Sequence, residues 1–200
     1  MLETKMRSLA QAYPNPVKPS KLAHLVIRTP KFRASCDWWA KVLDAAPSYE
    51  NEQLSFMTYD DEHHRIGIIN MPDLKPQDMG NAGAEHIAFT YDDFGALLAT
   101  YRRLKRDGIE PFWCINHGPT ISMYYRDPDL TKVELQYDVF QTPEGVKAFF
   151  DSGAYERNFM GIIVDPEQMI AEYEAGRPID EIVARPELPE GMTPWDMHRP

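Results

Sequence analysis

The feature that most constrains the fold is an internal repeat. A shift of 62 residues lays His24 on His86, Leu25 on Ile87, Phe32 on Phe94 and Val42 on Leu104. Several matches in one register mean that the chain repeats one supersecondary unit. The first copy opens with the strand-like run KLAHLVIRT, and Pro30 then starts a helix striped by Phe32, Cys36, Trp39 and Leu43. Three short strands are predicted after it, at Ser48 to Asn51, Leu54 to Tyr59 and Arg65 to Asn70. The second copy has EHIAFTY, then a helix from Asp93 to Asp107 striped by Phe94, Leu97, Leu98, Tyr101 and Leu104. Its three strands are predicted at Pro111 to Ile115, Ile121 to Arg126 and Lys132 to Tyr137.

The expected fold class is therefore α+β. It comprises an N-terminal arm over 1–20, βαβββ modules over 21–72 and 82–140, and C-terminal helices and an arm over 141–200. Pro14, Pro16 and Pro19 predict that the first arm is extended. Near the other end, Asp165 as N-cap, Pro166 at the first position, Gln168 completing a capping box and Gly176 as the stop mark a helix. Pro186, Pro189, Pro194 and Pro200 predict a second extended arm. Added elements of this kind suit a subunit contact, so a homo-oligomer is expected.

With 43% hydrophobic and 12% aromatic residues in 200, the chain can bury a full core. A net charge of -10 argues against a nucleic-acid groove, which needs a basic face. No stretch has signal-peptide or membrane-span character, and two cysteines are too few for a disulfide framework. The expectation is a cytoplasmic protein with neither nucleic acid nor membrane as partner.

Strand parity then singles out three residues. Lys132, Glu134 and Gln136 point one way and Val133, Leu135 and Tyr137 the other, which leaves the polar face open. His86 shares a face with Ala88 and Thr90, while His24 lies opposite Ala23, Leu25 and Ile27. Each module thus carries a histidine near the middle of its first strand, and the second adds Glu134 on its last. Any one of them alone reads as a structural residue. Together, if they converge, two imidazoles and a carboxylate make a facial triad for Fe(II), leaving positions free for substrate and oxygen.

At these residues the sequence resembles the vicinal-oxygen-chelate metalloenzymes, and within them the type I extradiol catechol dioxygenases, such as the biphenyl-2,3-diol dioxygenases. The resemblance runs from Lys21 to about Tyr137. It implies metal ligation by His24, His86 and Glu134, in a half-open barrel of two βαβββ modules with the metal in its concavity. INHGPTISMYYRDPDLTKVE follows the family's order of histidine, apolar residue and tyrosine, acid-proline turn and metal glutamate, here His117, Met123, Tyr124, Asp127, Pro128 and Glu134. Leu130 departs from it, standing where the family has glycine or proline.

In DEHHRIGIIN, His64 matches the family's acid-base histidine, while His63 reads as an exposed turn residue. Tyr124 matches the tyrosine that bonds the substrate's oxygen, and His117 would line the same pocket. The resemblance implies cleavage of a small aromatic diol by O2 with Fe(II), Mn(II) being the alternative metal. A glyoxalase-like lyase or isomerase is the runner-up, but its fourth ligand would fall among Ile66, Gly67, Ile68 and Ile69, none of which binds metal. A non-catalytic binder of small aromatic ligands is the other class of explanation, and the joint presence of the ligand residues argues against it.

Overall fold

A computed structural model describes residues 8–9, 13–75, 77–78 and 80–199. Half of the predicted N-terminal arm, residues 1–7 and 10–12, and Pro200 of the other arm lie outside the described residues; 14–20 are exposed and belong to no helix or strand.

The first module contains β1 (Leu25–Thr29), α1 (Phe32–Leu43), β2 (Ala46–Glu50), β3 (Leu54–Thr58) and β4 (Ile66–Asn70). The second repeats the order with β5 (Ile87–Tyr91), α2 (Phe94–Arg106), β6 (Trp113–Asn116), β7 (Thr120–Arg126) and β8 (Lys132–Asp138). In each, the first strand lies parallel to the last, giving one sheet in the order β1-β4-β3-β2. The other runs β5-β8-β7-β6-β9, with β9 (Ile162–Ile163) supplied by the C-terminal region. The two sheets do not close into a barrel, as the half-open arrangement requires.

Both helices are explained by their stripes. Along α2, Phe94, Leu97, Leu98, Tyr101 and Leu104 are buried at helical spacing; Asp93 accepts from the Ala96 amide, and Arg103, Lys105 and Arg106 occupy the last turn. The cap and the C-terminal cations suit the helix dipole. A 13-residue helix is marginal by itself. Burying each large apolar side chain adds about 1.5–3 kcal/mol, so packing holds it in place. Along α1 the buried positions are Phe32, Ser35, Cys36, Trp39, Val42 and Leu43.

One large apolar core spans both modules. It joins Ile27, Trp39 and Ile68 from the first to Phe94, Met123 and Leu135 from the second, and to Met169 and Ile170 beyond them. The turn between β7 and β8 reaches into the first module. There Asp127 accepts from the Trp39 indole at 3.2 Å, Asp129 is hydrogen-bonded to the Thr29 hydroxyl, and the Pro128 carbonyl to Lys31. Leu130 in this turn takes φ +71°, a left-handed conformation that favours glycine.

After β8 come α3 (Pro143–Asp151), α4 (Ala154–Arg157), α5 (Pro166–Glu174), α6 (Ile179–Ile182) and a 3-10 turn (Pro194–Met197). Asp165 caps α5 and Gly176 follows it at φ +78°. Gln168 does not complete a capping box; its amide extends along the helix to Glu172 at 2.9 Å. The last arm is not simply extended. Met197 is buried and its carbonyl accepts from the Trp113 indole at 2.9 Å, because that donor would otherwise be half-buried without a partner.

Candidate active site

His24 and His86 lie immediately before β1 and β5, not near their middles. The ladder starts late in the first module because the Arg65 guanidinium occupies the Leu22 and Ala23 carbonyls, at 2.8 and 3.0 Å. The first strand-type bond there runs from the Leu25 amide to the Arg65 carbonyl at 2.9 Å. Each histidine therefore stands at the mouth of a sheet.

In the second sheet, pleat and register gather the site. Glu134 is paired with Ala88 on the parallel neighbour β5 and with Tyr124 on the antiparallel neighbour β7. His86, two residues before Ala88, falls on that same face. The result is a short contact, His86 Nε2 to Glu134 Oε2 at 3.0 Å, with the His86 and Tyr124 rings edge-to-face at 5.4 Å. The polar face of β8 is not open to solvent as parity alone suggested. Glu134 is 4% exposed and Lys132 9%, and each has a partner, Glu134 in His86 and Lys132 in Glu85 at 2.7 Å.

Behind this pair, His117 stands with Nε2 3.1 Å from the Tyr124 hydroxyl and Nδ1 2.5 Å from the Met160 carbonyl. Burial lowers the pKa of His117 and keeps its ring neutral. Burial, and after it the nearby Glu134 carboxylate, pushes the Tyr124 phenol far up, so it stays protonated. Trp113 stacks on Tyr124 at 4.8 Å and 25°.

The first module contributes a separate cluster. His24, His63 and His64 offer ligand atoms all within 4.8 Å of one another. The His64 ring lies between His24 and Phe56, 4.3 Å from each. Burial first, then the neighbouring His24 and His63, lowers the His64 pKa. His63 is exposed, as a turn residue should be. The six residues singled out from sequence thus form two groups, His24 with His64, and His86 with Glu134, Tyr124 and His117.

The sequence profile of the Glyoxalase/Bleomycin resistance protein/Dioxygenase superfamily matches residues 21–147. The chain belongs to this superfamily. Two relatives from Rhodococcus globerulus are similar over most of their length. Biphenyl-2,3-diol 1,2-dioxygenase 2 is 42% identical over 180 residues, covering 86% of this chain and 95% of its own. Biphenyl-2,3-diol 1,2-dioxygenase 3 is 38% identical over 167 residues, covering 82% and 88%. A solved glyoxylase/bleomycin resistance protein/dioxygenase domain from Frankia sp. EAN1pec shares the fold with a TM-score of 0.52 at 14% identity, over 65% of this chain and 99% of that one.

Within this superfamily member, the donor chemistry suits a divalent metal. Imidazole and carboxylate together accommodate Fe(II) or Mn(II), and the 3.0 Å separation of His86 and Glu134 is one that two ligands of a single ion can share. Sequence reasoning missed Met160, Asn158 and Arg185, which hold His117 from behind. Asn158 followed by a glycine at 161 was the faint signal available. A cavity of about 530 Å³ is bordered by Gly118, Phe149, Asn158 and Arg185, and neither His86 nor Glu134 lines it.

Proposed function

We propose that this chain is an extradiol dioxygenase that opens a catechol-type ring with O2, holding Fe(II), or alternatively Mn(II), on His24, His86 and Glu134. The observation that carries the reading is the buried Glu134 carboxylate set 3.0 Å from His86 on a face shared with Tyr124. Both Rhodococcus relatives named as biphenyl-2,3-diol dioxygenases support it. A metal held by these residues would offer diol and O2 one centre and a path for electrons between them.

The protein's own groups supply the rest. His64, neutral at pH 7 because its pKa is lowered, takes a proton from the diol and returns it during ring opening. Tyr124, kept as a phenol, hydrogen-bonds the substrate's oxygen. His117 braces that phenol, and Trp113 backs it with a flat apolar wall. β4, the strand on which a glyoxalase-type site carries another ligand, has buried Ile66, Gly67 and Ile68 there, which favours three protein ligands over four.

Oxygen uptake by iron-loaded protein across simple, aryl-substituted and bicyclic catechols tests this. About one O2 per diol and a yellow ring-opened product are expected. Metal-replete protein that takes up no oxygen with any of them, yet isomerises a hemithioacetal anaerobically, would overturn the dioxygenase reading.

A further inference from the structure

We infer that the C-terminal extension orients the site's tyrosine: the Met160 carbonyl, held by Asn158 and Arg185, fixes the tautomer of His117 and thereby the direction of the Tyr124 hydroxyl. The inference rests on the dioxygenase reading for its consequence but not for its geometry. Met160, Asn158 and Arg185 all lie beyond residue 147, outside the segment matched to the superfamily.

A carbonyl oxygen can only accept, so the 2.5 Å contact with Met160 requires the proton of His117 on Nδ1. In the neutral ring Nε2 is then a bare lone pair, 3.1 Å from the Tyr124 oxygen. Tyr124 therefore donates to His117. Its phenol oxygen is left to accept, and a diol hydroxyl is a donor that fits it. Glu134 is the other acceptor within reach of the Tyr124 phenol; a metal held by that carboxylate would leave the phenol to His117.

The carbonyl is locked in place. Asn158 accepts from the Met160 and Gly161 amides at 3.2 and 2.9 Å and donates to the Gly161 carbonyl at 2.8 Å. Gly161 sits at φ +112°, and a Cβ there would lie 2.3 Å from the Asn116 carbonyl oxygen, so glycine alone lets the segment close on β6. Arg185 clamps the same corner. One guanidinium nitrogen donates to the His117 and Asn158 carbonyls at 2.9 and 3.0 Å, the other to the Ala154 carbonyl at 2.9 Å, and the group lies over Phe149. Arg185 is thus a positioning residue that ties both sides of the His117–Met160 contact.

The test is 15N NMR of the imidazoles in the full-length, metal-free protein, alongside kinetics of the iron-loaded form. Wild type should show His117 protonated on Nδ1 and bare on Nε2. Arg185→Met, which keeps an unbranched apolar stem and removes every donor to the three carbonyls, should give a mixture of tautomers and a kcat lowered about 10- to 100-fold at unchanged iron content, the scale of a misplaced group. Wild-type His117 protonated on Nε2 would overturn the inference, and that measurement stands even if the variant does not fold. So would an Arg185→Met protein with tautomer or kcat unchanged. Because the tautomer is read without turnover, a failed oxygen-uptake screen leaves this result separately interpretable.

Discussion

His86 Nε2 lies 3.0 Å from Glu134 Oε2, although 48 residues separate them, because β5 and β8 run side by side in parallel register. If one metal is shared by this pair and His24, replacing any of the three by alanine removes stoichiometric iron while the fold persists. Metal analysis of protein purified without oxygen, together with circular dichroism, checks it. A variant that keeps full metal excludes that residue as a ligand.

His64 should behave differently. His64→Gln is expected to retain iron and bind catechol while turning over about 10²–10⁴-fold more slowly, the usual contribution of general acid-base catalysis. Single-turnover kinetics with measured iron content separate this from loss of metal; equal rates would make His64 a packing residue between His24 and Phe56.

Asp127 tests how the modules are joined. Its carboxylate is 3% exposed and accepts from the Trp39 indole and the amides of Asp129 and Thr131. Asp127→Ala leaves these donors without a partner, so a loss of about 2–4 kcal/mol is expected in urea unfolding. A loss below about 1 kcal/mol would mean that water replaces the carboxylate at little cost.

Leu130 holds a left-handed backbone at φ +71° with its side chain 47% exposed. Relief of about 1–2 kcal/mol of strain, offset by about 0.5–1 kcal/mol of extra unfolded-chain entropy, predicts that Leu130→Gly stabilises by about 0.5–1 kcal/mol. A lower melting temperature for the glycine variant would contradict this.

Burial lowers the folded-state pKa of His117 below the ordinary value of 6.5, so the unfolded chain binds that proton more readily. The contribution of His117 to stability is fully present above pH 6.5 and is lost as pH falls from there through the lowered folded value. Denaturation midpoints of metal-free protein should therefore drop between pH 7.5 and 5.5 more steeply in wild type than in His117→Asn. Parallel slopes would show that other groups carry the acid sensitivity.

The sequence by itself determined the repeated modules, since hydrophobic period and caps act within a few residues. The α2 stripe at Phe94, Leu97, Leu98, Tyr101 and Leu104 is buried as its spacing predicts, and the repeat-related His24 and His86 both stand where a first strand begins. Their proposed partner Glu134 was legible too, as a carboxylate out of place in an apolar strand. Only the tertiary structure decided that Glu134 is covered, that the His24 ring lies against His64, and that β9 joins the second sheet. These depend on contacts between distant segments, which leave no local period. The hold on His117 was the least legible of all, because its acceptor is the Met160 backbone carbonyl, a group that every residue carries, and only the folded path of residues 158–161 brings it to that ring.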